Sequence, residues 1–154
     1  MLNVTRMSVI KRKLNILKGT INMAISDNFV RNIFGNLTSG KSEDFFKHVA
    51  SDVQWRVMGT HPLAGLYKSK EDFLKHTFHR LDKVLKQGVM LEIKKIYICD
   101  DTAIVEMESL STAINGKPFN NTYCWITRFV NEQIVEVRAY VDSELVQELI
   151  QDNE

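Results

Sequence analysis

The sequence predicts an α+β domain in which a long antiparallel sheet is covered by helices. Three observations carry this. Apolar residues at helical spacing dominate up to Gly88, alternating β-rich runs fill residues 89–141, and turn dipeptides separate those runs. Helices and strands segregated in this way build α+β rather than α/β architectures. The expected order is helix, helix, strand, helix, four strands, helix.

Ser26 is placed to cap a helix over Asp27 to Thr38, with Val30, Ile33, Phe34 and Leu37 on one face and Gly40 as the stop. Ser42 opens a short second helix, where Glu43 and Asp44 suit the positive end of the helix dipole and Phe45, Phe46 and Val49 point inward. Val53 to Met58 alternates as a strand, and Gly59-Thr60-His61-Pro62 breaks it. Ser69, with Asp72 three residues on, forms a capping pattern for a third helix. Its stripe is Phe73, Phe78, Leu81, Val84 and Leu85, and Gly88 ends it. Four strands follow, Val89 to Ile98, Ala103 to Thr112, Phe119 to Val130 and Ile134 to Val141, joined at Asp100-Asp101, Asn115-Gly116 and Asn131-Glu132. Asp142 and Ser143 start a last helix with Leu145, Val146, Leu149 and Ile150 inward. A sheet this long must curl and bury one face under the helices, leaving a concavity.

Composition bounds the function classes. At 154 residues, a chain of this size buries about two thirds of its unfolded surface in one core. The 25% charged and 44% hydrophobic fractions are those of an ordinary globular domain. No apolar run approaches 18 residues, so no membrane partner is expected, and a net charge of +1 disfavours a nucleic-acid partner held by bulk charge. The charge is uneven. Residues 1–22 carry Arg6, Lys11, Arg12, Lys13 and Lys18 without an acid, a net of +5, which leaves 15 basic and 19 acidic residues, a net of −4, in 23–154. That start lacks the apolar core of a secretory signal. It reads as a basic N-terminal extension before a domain at 23–154, with an added helix or strand and a targeting segment as other readings. Cys99 and Cys124 lie in apolar, β-branched stretches and read as two reduced, buried thiols of a cytoplasmic protein.

The stretch Asp52-Val-Gln-Trp-Arg-Val-Met-Gly-Thr-His-Pro-Leu-Ala-Gly-Leu-Tyr67 resembles the first strand and hairpin of the SnoaL-like proteins. These belong to the nuclear transport factor 2-like, ketosteroid-isomerase-like superfamily. Asn121-Thr-Tyr-Cys-Trp-Ile-Thr-Arg-Phe129 and Ile134-Val-Glu-Val-Arg-Ala-Tyr-Val-Asp142 look like that family's last two strands. The resemblance covers about Met23 to Asn153. It implies a cone-shaped α+β barrel enclosing a pocket, and a homodimer formed through the outer sheet face. Such a fold hosts many activities and does not fix one. Ketosteroid isomerases place a carboxylate base where this chain has Val57, and oxyanion donors where it has Ile33 and Trp125. Limonene-type epoxide hydrolases place an arginine between two aspartates, positions that fall near Glu106, Glu108 and Ala139. Their helper residues fall at Trp55 and Val57. Both sets of machinery have departed from the pattern.

The same alignment selects the residues that face the pocket: Trp55 and Val57, Glu106 and Glu108, Asn121, Tyr123 and Trp125, and Val135, Val137, Ala139 and Val141. For Ala103 to Thr112 the pattern alone leaves the opposite face, with Ala103, Val105, Met107 and Ser109, equally acceptable as core. Two carboxylates at i, i+2 lie about 7 Å apart on one strand face. In an apolar pocket, burial and mutual repulsion would raise their pKa values towards neutrality, which suits proton transfer. The other reading puts them in solvent or at a dimer contact, paired with Arg128, Arg138 or Lys94. His61, in the hairpin at the cavity mouth, is a candidate proton shuttle or a plain loop histidine. Trp55, Tyr67, Tyr123 and Trp125 would supply aromatic walls, with Asn121 to orient an oxygen, unless they are simply core. His76 and His79, three apart on the third helix, lack a third ligand and read as a solvated face, so no metal is expected.

The expected function is therefore binding of a small hydrophobic or aromatic ligand, with Glu106, Glu108 and His61 as candidate catalytic residues. Cofactor-independent acid–base isomerisation, lysis or hydrolysis is one outcome. A non-catalytic ligand-binding or dimeric assembly module is the other. The chain has no Gly-rich phosphate loop, so no nucleotide cofactor is expected.

Overall fold

The computed structural model describes residues 14–17 and 20–154, and side chains from residue 24 onward. Of the basic stretch 1–22, residues 1–13, 18 and 19 lie outside the described residues. Strands β1 (Leu14–Leu17) and β2 (Thr20–Met23) pair antiparallel with each other.

Helix α1 (Asp27–Thr38) begins where expected, with the Ser26 hydroxyl accepting the Phe29 N–H at 3.1 Å, and it buries Val30, Ile33, Phe34 and Leu37. Short α2 (Ser42–Phe46) adds buried Phe45 and Phe46. Strand β3 (Val49–Val57) then runs to a loop that returns as β4 (Gly65–Tyr67). The third helix is two pieces, α3 (Lys70–His76) and α4 (Phe78–Leu81). The break is at Thr77, whose φ of −122° and ψ of −81° are not helical and whose hydroxyl donates to the Phe73 carbonyl at 2.7 Å. The apolar stripe runs on through the break, so spacing alone reads as one helix.

Strands β5 (Leu91–Cys99), β6 (Thr102–Ser109), β9 (Thr122–Val130) and β10 (Gln133–Val141) make the body of the sheet. Short β7 (Ser111–Thr112) and β8 (Pro118–Phe119) pair beside it. Asp142 caps the closing helix α5 (Ser143–Asn153), its carboxylate accepting the Glu144 and Leu145 N–H groups. The six-stranded sheet has the order β4-β3-β10-β9-β6-β5. It is curved, unclosed and packed against helices, the α+β arrangement the sequence predicts and the cone-like form the resemblance implies. One pairing departs from the all-antiparallel expectation: β3 lies parallel to β10, with Trp55 opposite Val137. After β4 the chain passes through α3 and α4 and resumes at β5, the far edge of the sheet, so the last strand returns alongside the first.

The core lies between the sheet's inner face and the helices. Trp55, Phe34, Phe45 and Phe129 are its largest fully buried side chains. Two β-bulges interrupt the alternation of side chains, at Ile93/Lys95 in β5 and at Ile134/Glu136 in β10. The second turns Ile134 and Val137 both inward and leaves Val135, expected to face the pocket, only half-buried.

Candidate functional site: an aromatic inner cavity and a polar outer groove

Trp55 projects inward from β3 because its neighbours Gln54 and Arg56 are polar and take the solvent side. Phe73 of α3 stacks on its indole at 3.9 Å and 16°, and Trp125 of β9 meets it edge-on at 5.2 Å and 84°. Phe46 and Phe78 continue the cluster, 4.9 Å apart. What remains open between them is a cavity of about 60 Å³. Its walls are Trp55, Val57, Tyr123, Trp125, Ala139 and Val141 from the sheet, Phe73, Thr77, Phe78 and Leu81 from α3 and α4, and Val146 from α5. His61 and Leu63 come from the loop between β3 and β4. The Trp55 indole N–H, fully buried, is the one buried side-chain nitrogen or oxygen among the described residues without a hydrogen-bond partner.

His61 also faces this cavity, but both its ring nitrogens are engaged. Nδ1 accepts the Leu63 N–H at 3.2 Å, so Nε2 carries the proton and donates to the Met58 carbonyl at 3.0 Å. Burial lowers its pKa, keeping the ring neutral. Gly59 makes room for it. A Cβ at this residue, whose φ is +108°, would collide with the Ser143 hydroxyl and sit 3.0 Å from the imidazole. The ring pins the loop across the cavity, an arrangement that leaves it no free nitrogen for shuttling.

Tyr67 and Asn121 line neither the cavity nor the groove described below. The Tyr67 hydroxyl donates to the Leu63 carbonyl at 2.9 Å, and its ring stacks beside His76. Asn121 is a strut. Its carboxamide oxygen accepts the Thr122 and Asp142 N–H groups at 2.8 and 3.2 Å, and its amide donates to the Asp142 carbonyl at 3.2 Å, tying the start of β9 to the end of β10. Tyr123 does face the cavity, and burial raises its phenol pKa far enough to keep it protonated.

Glu106 and Glu108 lie on the other side of the sheet, contrary to the expectation that they face the pocket. On β6 the inward parity belongs to Ala103, Val105, Met107 and Ser109, all buried, and both glutamates are exposed. The reason is ordinary: given two acceptable faces, the strand buries its apolar set and solvates its charges. The two acids line a groove of about 470 Å³ on the outer face, with Lys94, Thr122, Cys124 and Tyr140, and Tyr123 and Val141 border both this groove and the inner cavity. Lys94 sits between Glu92 at 3.1 Å and Glu108 at 3.2 Å, and these carboxylates raise its pKa. The cysteines also correct the sequence reading: both are free, Cys99 is exposed and Cys124 half-buried. Burial and the facing Glu106 push the Cys124 thiol pKa up. Arg128, Glu136 and Arg138 form a chain of ion pairs on this outer face, at 3.2 and 3.5 Å. His76 and His79 are exposed, and His76 pairs with Asp72 at 3.0 Å. Among the described residues, no three His, Cys, Asp or Glu side chains converge as a metal site would need. None of the described helices is long and apolar enough to cross a membrane.

The feature sequence reasoning misses is the unpaired indole N–H of Trp55. Nothing in the pattern of residues signals it, since it arises from the ring stack that isolates it.

The architecture superposes on that of a nuclear transport factor 2-like protein from Burkholderia thailandensis with a TM-score of 0.69. The match is 22% identical and covers 80% of this chain and 95% of that one. The chain has the nuclear transport factor 2-like fold. No family model matches it. Two curated relatives are similar to it in sequence. Dimerizing cyclase phiC of a fungal species is 34% identical over 134 residues, and dimerizing cyclase tstC of Talaromyces stipitatus is 30% identical over 134 residues. Each match covers 84% of this chain and 59% of the relative, so the chain spans about three fifths of the length of the curated relatives it matches. Within that fold the Trp55 cavity lies between the inner face of the sheet and the helices.

Proposed function

We propose that this chain binds a small, largely apolar molecule in the inner cavity and takes part in ring-forming chemistry of the kind its curated relatives are named for. The observation that carries the reading is the inner cavity itself, walled by Trp55, Tyr123 and Trp125 and by no charged side chain. The relatives' names favour cyclisation over the isomerase, lyase or hydrolase chemistry that the fold also hosts. In this reading Trp125 and Tyr123 shape the cavity beside Trp55, and His61 and Asn121 hold its frame. Proton transfer by Glu106 or Glu108 belongs to the outer groove. The test is to incubate the purified chain with a metabolite extract and analyse retained and newly formed molecules by mass spectrometry. Wild type is expected to retain a small molecule and to yield a product with the mass of two joined units. Ala139→Leu, which fills part of the cavity, should lose both signals while circular dichroism shows the fold retained. Retention unchanged in that variant, or no retained molecule and no product, would sink the proposal.

We further infer a homodimer through the outer sheet face, supported by three large apolar side chains exposed there or at its margins: Tyr97 at 50%, Tyr140 at 42% and Leu66 at 41%. Light scattering on wild type and on Tyr97→Glu tests it. A monomer in both would end this reading.

A further inference from the structure

One polar group in the cavity wall is both reachable and uncommitted. Resting on the reading that this cavity holds the ligand, we infer that the Tyr123 hydroxyl is the ligand's hydrogen-bonding contact there, donating to the oxygen of a neutral carbonyl group.

The strand fixes where this side chain points. On β9, Tyr123 stands opposite Met107 of β6 and Val141 of β10, with the inward parity of Trp125 two residues on. Its ring meets that of Trp125 edge-on at 6.4 Å and lines the cavity. Among the described residues its hydroxyl has no hydrogen-bond partner. Nor is it sealed, since the Trp55 nitrogen is the one unpartnered side-chain nitrogen or oxygen shut off from accessible surface. The remaining polar hydrogens of the wall are spent or out of reach. His61 Nε2–H goes to the Met58 carbonyl, the Thr77 hydroxyl goes to the Phe73 carbonyl, and the Trp55 N–H is the sealed one. Tyr123 is left as the donor that a ligand can meet.

The class of ligand group follows from that donor and its surroundings. Burial raises the phenol pKa, so the hydroxyl keeps its proton across the neutral range and calls for an acceptor. No charged side chain lines the cavity, so a carboxylate would be stripped of water with no counter-ion to receive it. The acceptor is therefore uncharged. A carbonyl oxygen fits, because it accepts and brings no hydrogen that needs a partner of its own. A water molecule, by contrast, wants two to four partners and finds one open donor. Size sets the last limit. About 60 Å³ is roughly two water molecules' share of liquid volume, far below the ~300–1,000 Å³ of pockets that swallow a whole ligand. The carbonyl-bearing end enters, and the rest of the molecule stays outside.

The chain's four tyrosines make this measurable. Protein labelled with ¹³C at tyrosine Cζ gives four signals, and Tyr123→Phe identifies that of Tyr123. Were that variant not to fold, Tyr67→Phe, Tyr97→Phe and Tyr140→Phe assign the signal by elimination. Acetone, isobutene, which has the same shape with =CH2 in place of =O, and acetate are titrated separately. Acetone is expected to move the Tyr123 Cζ signal downfield in a saturable way, as a donating phenol does. Isobutene should shift the lining methyl groups of Val57 and Val146 without that downfield movement, and acetate should do neither. Tyr123→Phe, checked for its fold by circular dichroism, should bind acetone up to about tenfold more weakly, the loss expected for one neutral hydrogen bond. Its affinity for isobutene, read from the same methyl groups, should not fall, whereas a merely structural role would weaken both probes alike. Equal Cζ shifts from acetone and isobutene, equal losses of both in the variant, acetate binding as tight as acetone, or no response of wild type to acetone would each overturn the inference. The two readings fail separately. A ring product from extract with no acetone response removes the Tyr123 assignment alone. An acetone response as expected, with nothing retained or formed from extract, removes the cyclase reading and leaves the cavity chemistry standing.

Discussion

The two faces of the six-stranded sheet are built from the same strands and do opposite things. Inside, Trp55, Trp125 and their helix partners pack ring against ring, leaving one small cavity and one sealed, unpaired donor. Outside, Glu106, Glu108 and Lys94 line a groove almost eight times larger, about 470 against 60 Å³, and Arg128, Glu136 and Arg138 pair on the same face. The larger opening is the less selective one. Its polar groups already satisfy one another or water, so a ligand gains little by replacing those partners. The inner cavity is walled by aromatic and aliphatic side chains and no charged one, and there shape and apolar surface count.

That contrast can be broken most forcefully on β6. Met107→Glu puts a carboxylate into the core without a counter-ion and is expected to cost at least about 3 kcal/mol, while Glu106→Met, one residue earlier, should stay within about 0.5 kcal/mol. Chemical denaturation of the pair decides it, and similar costs would show that the two faces are not distinct. Next, Trp125→Ala should lose about 3–5 kcal/mol, because the cluster around Trp55 cannot collapse into the space. Asn121→Ala is expected to cost about 1–3 kcal/mol, leaving the Thr122 and Asp142 N–H groups short of their acceptor.

His61 gives a pH signature to the inner face. Its pKa is lower in the folded chain than in the unfolded one, so the folded state resists protonation. The stability it contributes is complete above about pH 6.5 and is lost as the pH falls below that value. Thermal melts between pH 7 and 5 should show this decline, and His61→Gln should flatten it. An equally steep profile in the variant would place the titration elsewhere. The smallest effect belongs to the outer face. A double-mutant cycle on Arg128 and Glu136, both about two fifths exposed, should give no more than about 0.2–1 kcal/mol, and less at high salt. A larger coupling would place this pair inside the dimer contact inferred for the outer face rather than at its solvent-exposed margin.

Much of the fold is legible in the sequence because local chemistry agrees with the tertiary outcome. Ser26, Ser69 and Asp142 all act as helix caps, and the Asp100 and Asn131-Glu132 turns carry the positive φ their positions suggest. The site is less legible. Period-two reading fails across a bulge, which is why Val135 was expected where Ile134 sits. On β6 the resemblance put Glu106 and Glu108 inward, while the simpler rule that charges face water points out. Asn121 reads as a ligand contact because an asparagine entering a pocket strand looks the same whether it meets a substrate or the neighbouring backbone. The parallel pairing of β3 with β10 is invisible for another reason: no local residue pattern encodes which distant strand will be the neighbour.

That pairing governs how the domain comes into being. Trp55 meets Val137 across about 80 residues of chain, and closing so long a loop costs entropy before any contact rewards it. On a ribosome the first helices and the β3–β4 hairpin emerge early, yet β3 has no sheet to join until the final strand has been made. Until then β9 and β3 each carry a bare edge, the kind of edge that recruits other chains. Strand β10 therefore acts as the latch of the sheet. Trp55 and Trp125, brought edge to face on two strands that β10 joins, provide a native fluorescence signal for the moment it shuts.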